Sequence, residues 1–163
     1  MVKGFGEGIT VSKVSEKVIA RAKAVQILKK IPVFNGLLED EYFKVLGMCT
    51  SAAARAGEVL FEQGDAGKSM YILLSGEMKV DVKGVGTVHT MSNGEIVGEI
   101  SLVKNIKRTA SVIANTDCVL LQLYSEIFHE VVKKQPRVGY LIMRNIARIL
   151  ADRLVQTNKS SNS

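Results

Sequence analysis

The sequence predicts a mainly β protein with flanking helices: a β-roll (a double-stranded β-helix or jelly-roll) of about eight strands, with N-terminal helices before it and two C-terminal helices after it. Three observations predict this. From about Ser51 to Leu123, glycines recur at Gly57, Gly64, Gly67, Gly76, Gly84, Gly86, Gly94 and Gly98 with runs of Val, Ile and Tyr between them, as short strands joined by turns require. Upstream, Val14, Val18, Ile19, Ala22, Val25 and Leu28 recur at helical spacing. Downstream, Val138, Leu141, Ile142, Ile146, Ile149, Leu150 and Leu154 do the same.

In chain order, residues 1–11 hold Gly4, Gly6 and Gly8 and read as a mobile tail. Ser12, with Glu16 nearby, is a cap for the first helix, which Pro32 ends. Residues 1–30 thus form a tail and helix, and the folded domain spans 31–157. Glu39 to Met48 reads as a second, short helix with Tyr42, Phe43, Val45 and Leu46 on its apolar side. Within the roll, Ser75-Gly76 and Asn93-Gly94 are turn pairs. Met78, Val80 and Val82 alternate with Lys79, Asp81 and Lys83, so one face of that strand is buried. Tyr124 to Lys134 reads as a helix, and Pro136 opens a long one through about Thr157. Residues 158–163 read as a disordered polar tail. The long helix carries more apolar positions than one packing seam needs. It either covers the open end of the roll or serves two surfaces, a ligand lid and a second copy of the chain.

Composition removes several classes of function. With 163 residues and 47% apolar content, the chain can bury one core. No run is long enough to span a membrane and the start lacks an apolar signal core, so a cytoplasmic protein is expected. Cys49 and Cys118 stand far apart, with only His89 and His129 as further soft ligands; two buried free thiols and no metal are expected. The net charge of +6 is uneven: +5 over residues 1–30, −5 over 31–132 and +6 over 133–163. Its cationic part therefore lies on the terminal helices, as a solvated face or a surface for an acidic partner.

Chemistry concentrates in Gly98-Glu99-Ile100-Ser101-Leu102 and Arg108-Thr109-Ala110-Ser111-Val112. Gly98 lets backbone approach a ligand closely, and a helical turn after it would aim free N–H groups at an anion. Arg108 offers a planar, permanently charged fork for phosphate. Glu99 would repel phosphate and suits sugar hydroxyls. An ion pair between Glu99 and Arg108, without any ligand, is the structural alternative.

The motifs Phe61-Glu62-Gln63-Gly64-Asp65, Met70-Tyr71-Ile72-Leu73, Ser75-Gly76-Glu77 and Gly98-Glu99 to Arg108-Thr109-Ala110, in this order of elements, resemble those of the cyclic nucleotide-binding domain family from about Phe34 to Leu154. The segment Gly98 to Cys118 is similar to hyperpolarisation-activated and cyclic nucleotide-gated channels. The resemblance implies a phosphate-binding cassette. In it Glu99 accepts from the ribose 2′-hydroxyl, Arg108 holds the cyclic phosphate, and backbone amides near Ser101 and Thr109 complete the cradle. Val97 and Met91 are the apolar residues best placed for the base, with His89 a weaker match. Arg148, Ile149 and Arg153 align with the lid. Lys107 stands where many members have proline, and Thr109 is compatible with either cAMP or cGMP.

A cyclic nucleotide-binding regulatory module follows, non-catalytic, whose helices move on binding and signal to a separate effector protein. A homodimer through the C-terminal helix is compatible with it. Two alternatives keep the fold: a ligand-free interaction scaffold, and a transcription-regulator sensor lacking its DNA-binding domain. Nine residues beyond Leu154 are too few for a helix-turn-helix, so specific DNA binding is not expected. An enzyme lacks its parts, since no metal cluster, nucleophile–base pair or carboxylate pair is legible.

Overall fold

A computed structural model describes the backbone of residues 11–161 and the side chains of residues 18–161. The expected tail, up to residue 10, lies outside the described residues. In chain order the elements are α1 (Val11–Leu28), a 3-10 turn (Pro32–Phe34), α2 (Glu39–Met48), β1 (Thr50–Ala54), β2 (Val59–Phe61), β3 (Ser69–Ser75), β4 (Met78–Val82), β5 (Gly86–Met91) and β6 (Ile96–Val97). After them come a 3-10 helix (Glu99–Leu102), β7 (Ser111–Ala114), β8 (Cys118–Tyr124), α3 (Ser125–Lys134) and α4 (Pro136–Ser161).

The eight strands form two four-stranded sheets of order β1-β8-β3-β6 and β2-β7-β4-β5, with every named pairing antiparallel. This is the β-roll that the glycine spacing predicts. Gly76 (φ 101°) and Gly94 (φ 88°) both occupy the left-handed region that their turns demand. A Cβ on Gly76 would also meet the Asp117 carbonyl at 2.5 Å.

Strands β3 and β8 are apolar on both faces because each serves two cores. Met70 and Ile72 of β3, with Leu121 and Leu123 of β8, face the helices beside Val25, Leu28, Phe34, Phe128, Ile142 and Ile146. Leu73 and Leu120 point the other way, into the roll, with Met78, Met91, Val112 and Cys118. Side chains alternate across a strand, so one strand seals both layers.

Several boundaries differ from expectation. Ser12 lies within α1 rather than capping it. Of α1's apolar positions, Val25 and Leu28 are buried, whereas Val18 (61% exposed), Ile19 and Ala22 stand clear. Among its described side chains, those of the last turns reach the core; Val14 lies outside them. In β4 the alternation survives at Met78; Val80 is half-buried where it borders a cavity, and Val82 is half-buried at the strand end. α4 is four residues longer than expected, so 158–161 are helical and not a disordered tail. Cys118 is buried, but Cys49 is half-buried.

The C-terminal helix α4 is bolted to the segment before the roll. Asn145, buried on α4, donates from Nδ2 to the carbonyls of Val33 (3.0 Å) and Asn35 (2.9 Å). Arg137 pairs with Glu41 of α2 and donates to the Gly36 carbonyl. The Arg137 bond holds the Glu41 carboxyl below its ordinary range.

Candidate functional site

The open end of the roll is a cavity of about 850 Å³ between the strands, the Glu99–Leu102 turn and the second half of α4. Its size suits a nucleotide-sized ligand. Val97, Gly98, Glu99, Ile100, Ser101, Arg108, Thr109, Ala110 and Met91 all line it, as do His89, Ile149 and Arg153. Arg148 does not: it is exposed on another side of α4, one residue out of phase with Ile149, and its expected place in the lid is corrected.

Gly98 has φ 76° and precedes the 3-10 helix. A Cβ there would lie 2.9 Å from the Ser69 carbonyl and would collide with the Arg108 guanidinium. The glycine's role is thus to let Arg108 pass close under the chain. Gly67 does the same for Ser101, whose hydroxyl occupies the space a Cβ would need.

Arg108 is 8% exposed. Its Nη2 donates to the Ser69 carbonyl at 2.8 Å and its Nη1 to Ser101 Oγ at 3.0 Å. The guanidinium carbon lies 4.0 Å from the centroid of the Phe61 ring, in cation–π geometry. Backbone bonds from Arg108 N–H to the Asp65 carbonyl (2.7 Å) and from Gly64 N–H to the Arg108 carbonyl (2.8 Å) fix its loop. Burial pulls the Arg108 pKa down, opposed by Tyr71, Asp65 and Glu99. A guanidinium stays charged through such a change, so the cavity holds a desolvated cation with an orientation set in advance.

Glu99 is 5% exposed and makes no ion pair with Arg108. Its partner is Arg153 of α4, whose Nη1 lies 3.2 Å from Oε1 and whose Nη2 donates to the Ile96 carbonyl at 2.8 Å. Two buried polar atoms of these residues have no partner: Glu99 Oε2 and Arg108 Nε. A buried acceptor and a buried donor left empty each carry a desolvation cost. Both residues line one cavity, where a ligand with a hydroxyl and an anionic oxygen would bring partners to them.

Several residues of this site were not legible in the sequence. Ser69 contributes only a carbonyl, and Glu95, Val80, Val88, Asp152, Gln156 and Thr157 line the cavity through tertiary placement. Phe61 lay in the quoted motif, and its ring's place beneath Arg108 emerges only in the fold. Among the described residues no group of three or more His, Cys, Asp or Glu could hold a metal ion, and no described helix is long and apolar enough to cross a membrane.

The cyclic nucleotide-binding domain family matches residues 52–135 of this chain. The chain belongs to that family. It is 31% identical over 131 residues to the cyclic AMP receptor protein of Thermus thermophilus, covering 78% of this chain and 59% of that protein. It is 34% identical over 90 residues to the cAMP-dependent protein kinase regulatory subunit of Yarrowia lipolytica, covering 55% and 24% respectively. A crystal structure of a cyclic nucleotide-binding domain from Methylobacillus flagellatus superposes with a TM-score of 0.76 at 22% identity, over 87% of this chain and 82% of that one, a likeness of fold. The chain thus spans well under two thirds of these two curated relatives.

Proposed function

We propose that this chain is a non-catalytic cyclic nucleotide sensor that binds cAMP or cGMP in the open end of its roll and passes the signal to a separate effector protein. The observation that carries this reading is that Glu99 and Arg108, each with a buried atom that has no partner, line the same cavity. The cyclic phosphate meets Arg108, with the backbone beside Ser101 and Thr109 completing its cradle. The ribose 2′-hydroxyl donates to Glu99 Oε2, and the base lies against Val97 and Met91. The relatives, a cyclic AMP receptor protein and a cAMP-dependent protein kinase regulatory subunit, support the same ligand class.

Ile149 and Arg153 act as the lid. Arg153 already ties α4 to the sheet through Glu99 and the Ile96 carbonyl, so whatever stabilises Glu99 also favours the closed position of α4. Binding then shifts a population of helix positions. Through Asn145 and Arg137, movement of α4 reaches the Pro32–Phe34 turn and α2. The exposed Leu154 and Val155 give α4 an apolar side on which a second copy can pair. The assignment to the cytoplasm, to a cyclic nucleotide and to an effector partner stands or falls with the ligand. Isothermal titration of the purified protein with cAMP and with cGMP tests it: saturable one-site binding of either supports the sensor, and absence of heat and of thermal stabilisation with both favours a scaffold.

A further inference from the structure

We infer that His89 and Glu95 read the 6-position of the bound base and favour an amino group there, so that the sensor prefers adenine over guanine; this rests on the cyclic nucleotide reading above. The two side chains sit on the same rim of the cavity, His89 on β5 and Glu95 in the turn that leads to β6. His89 Nε2 lies 2.8 Å from Glu95 Oε1. Glu95 Oε2 accepts from the Ser92 N–H at 2.6 Å, which fixes the carboxylate in the turn. An ionised carboxylate only accepts, so its imidazole neighbour carries the hydrogen on Nε2. In the neutral ring the other nitrogen, Nδ1, is then a bare acceptor.

With the ring neutral, the polar atoms this pair can turn to a ligand are acceptors. Adenine presents a 6-amino group, a donor, and fits; a 6-oxo base presents a second acceptor and is repelled. Guanine could otherwise be held by a carboxylate gripping its N1–H and 2-amino group together. That grip needs both oxygens turned to the base, and here Oε1 is turned to His89 and Oε2 to the Ser92 N–H. Nδ1 is then the acceptor set toward the 6-position, where adenine carries its amine and guanine an oxo group. Around it the walls are apolar: Val80, Val88 and Met91 line the cavity alongside the pair. Ring contact there supplies affinity without choosing a base, and leaves the choice to His89.

The test compares four ligands by titration: cAMP, cyclic purine riboside 3′,5′-phosphate, which lacks only the 6-amino group, cyclic inosine 3′,5′-phosphate, which has an oxo group in its place, and cGMP. Because the pair is partly exposed and water competes, losing the amine should weaken binding about 5-fold, and the oxo group should weaken it further. In His89→Ala the amino and unsubstituted ligands should converge to within about 2-fold. In Glu95→Gln, whose amide can donate, the inosine ligand should recover. Equal binding of cAMP and the purine riboside by the native protein, or tighter binding of cGMP than of cAMP, overturns the base reading and leaves the cassette intact. Failure of all four ligands to bind overturns both.

Discussion

Replacing Arg108 with alanine separates a ligand-binding guanidinium from a structural one. In the ligand-free protein this side chain bonds the Ser69 carbonyl and Ser101 and stacks on Phe61. Its loss leaves a buried carbonyl unpaired and costs about 1–3 kcal/mol of stability. The informative quantity is therefore the ligand-induced shift measured within each variant. Ligand at 100 times its Kd stabilises the native protein by about 2.7 kcal/mol, a Tm rise of about 5–10 °C for a chain of this length. Two charge-assisted bonds to phosphate contribute about 1.5–3 kcal/mol each, so Arg108→Ala should raise Kd on the order of 1,000-fold. The same ligand concentration is then about a tenth of the new Kd, and the stabilisation falls to roughly 0.1 kcal/mol, a shift below about 1 °C. Arg108→Lys keeps the charge but lacks the planar fork that reaches Ser69 and Ser101 together, and should retain an intermediate shift. Differential scanning fluorimetry with and without nucleotide reads all three proteins. An undiminished shift in Arg108→Ala would refute the assignment of the phosphate to this residue.

Arg153→Gln takes the cation from the buried Glu99 carboxylate and should cost about 1–3 kcal/mol, an unliganded Tm lower by about 2–10 °C; by stopped-flow, nucleotide dissociation should accelerate several-fold, and an unchanged rate would remove Arg153 from the lid. Asn145→Ala takes both bonds from the carbonyls of Val33 and Asn35 and should cost about 2–3 kcal/mol in urea unfolding, whereas a surface-like change below about 0.5 kcal/mol would count against its role as a bolt. Burial pushes the Cys49 thiol up from 9.0 to about 12. Iodoacetamide at pH 8 should therefore leave Cys49 unmodified in the native protein and alkylate it in urea. The same raised value means stability is full below pH 9 and declines above it, as the unfolded chain ionises first; Cys49→Ser should flatten that alkaline decline.

The roll was legible because its cause is local. Glycines at positions such as Gly76 and Gly94 supply backbone angles that other residues resist, and each marks a corner whatever the rest of the chain does. Glu39–Met48 and the start at Pro136 were legible for similar reasons of spacing and capping. The residues Glu99 and Arg108 were legible because a carboxylate and a guanidinium beside a glycine turn have few uses in a core. Errors arose where local pattern and tertiary burial parted. The apolar residues of α1 follow one helical stripe, but among its described side chains Val25 and Leu28 reach the core while Val18, Ile19 and Ala22 stay exposed. Arg148 and Arg153 look equivalent along α4 until the rotation of the helix is known, and that rotation is set by Val138, Leu141, Ile142 and Ile146 in the core.

By itself, then, the sequence determined the order of elements, the glycine corners of the roll and the chemical character of its cassette, because these depend on neighbouring residues and fixed backbone preferences. Only the tertiary structure decided which partner each charge meets. Glu99 pairs with Arg153, 54 residues on, and Arg108 with a carbonyl 39 residues back. Hydrogen bonds act over about 3 Å, and which groups come that close is settled by packing between elements distant in the chain. The same packing turns His89 and Glu95, ordinary residues of a hairpin, toward one cavity, and leaves Glu99 Oε2 and Arg108 Nε without partners.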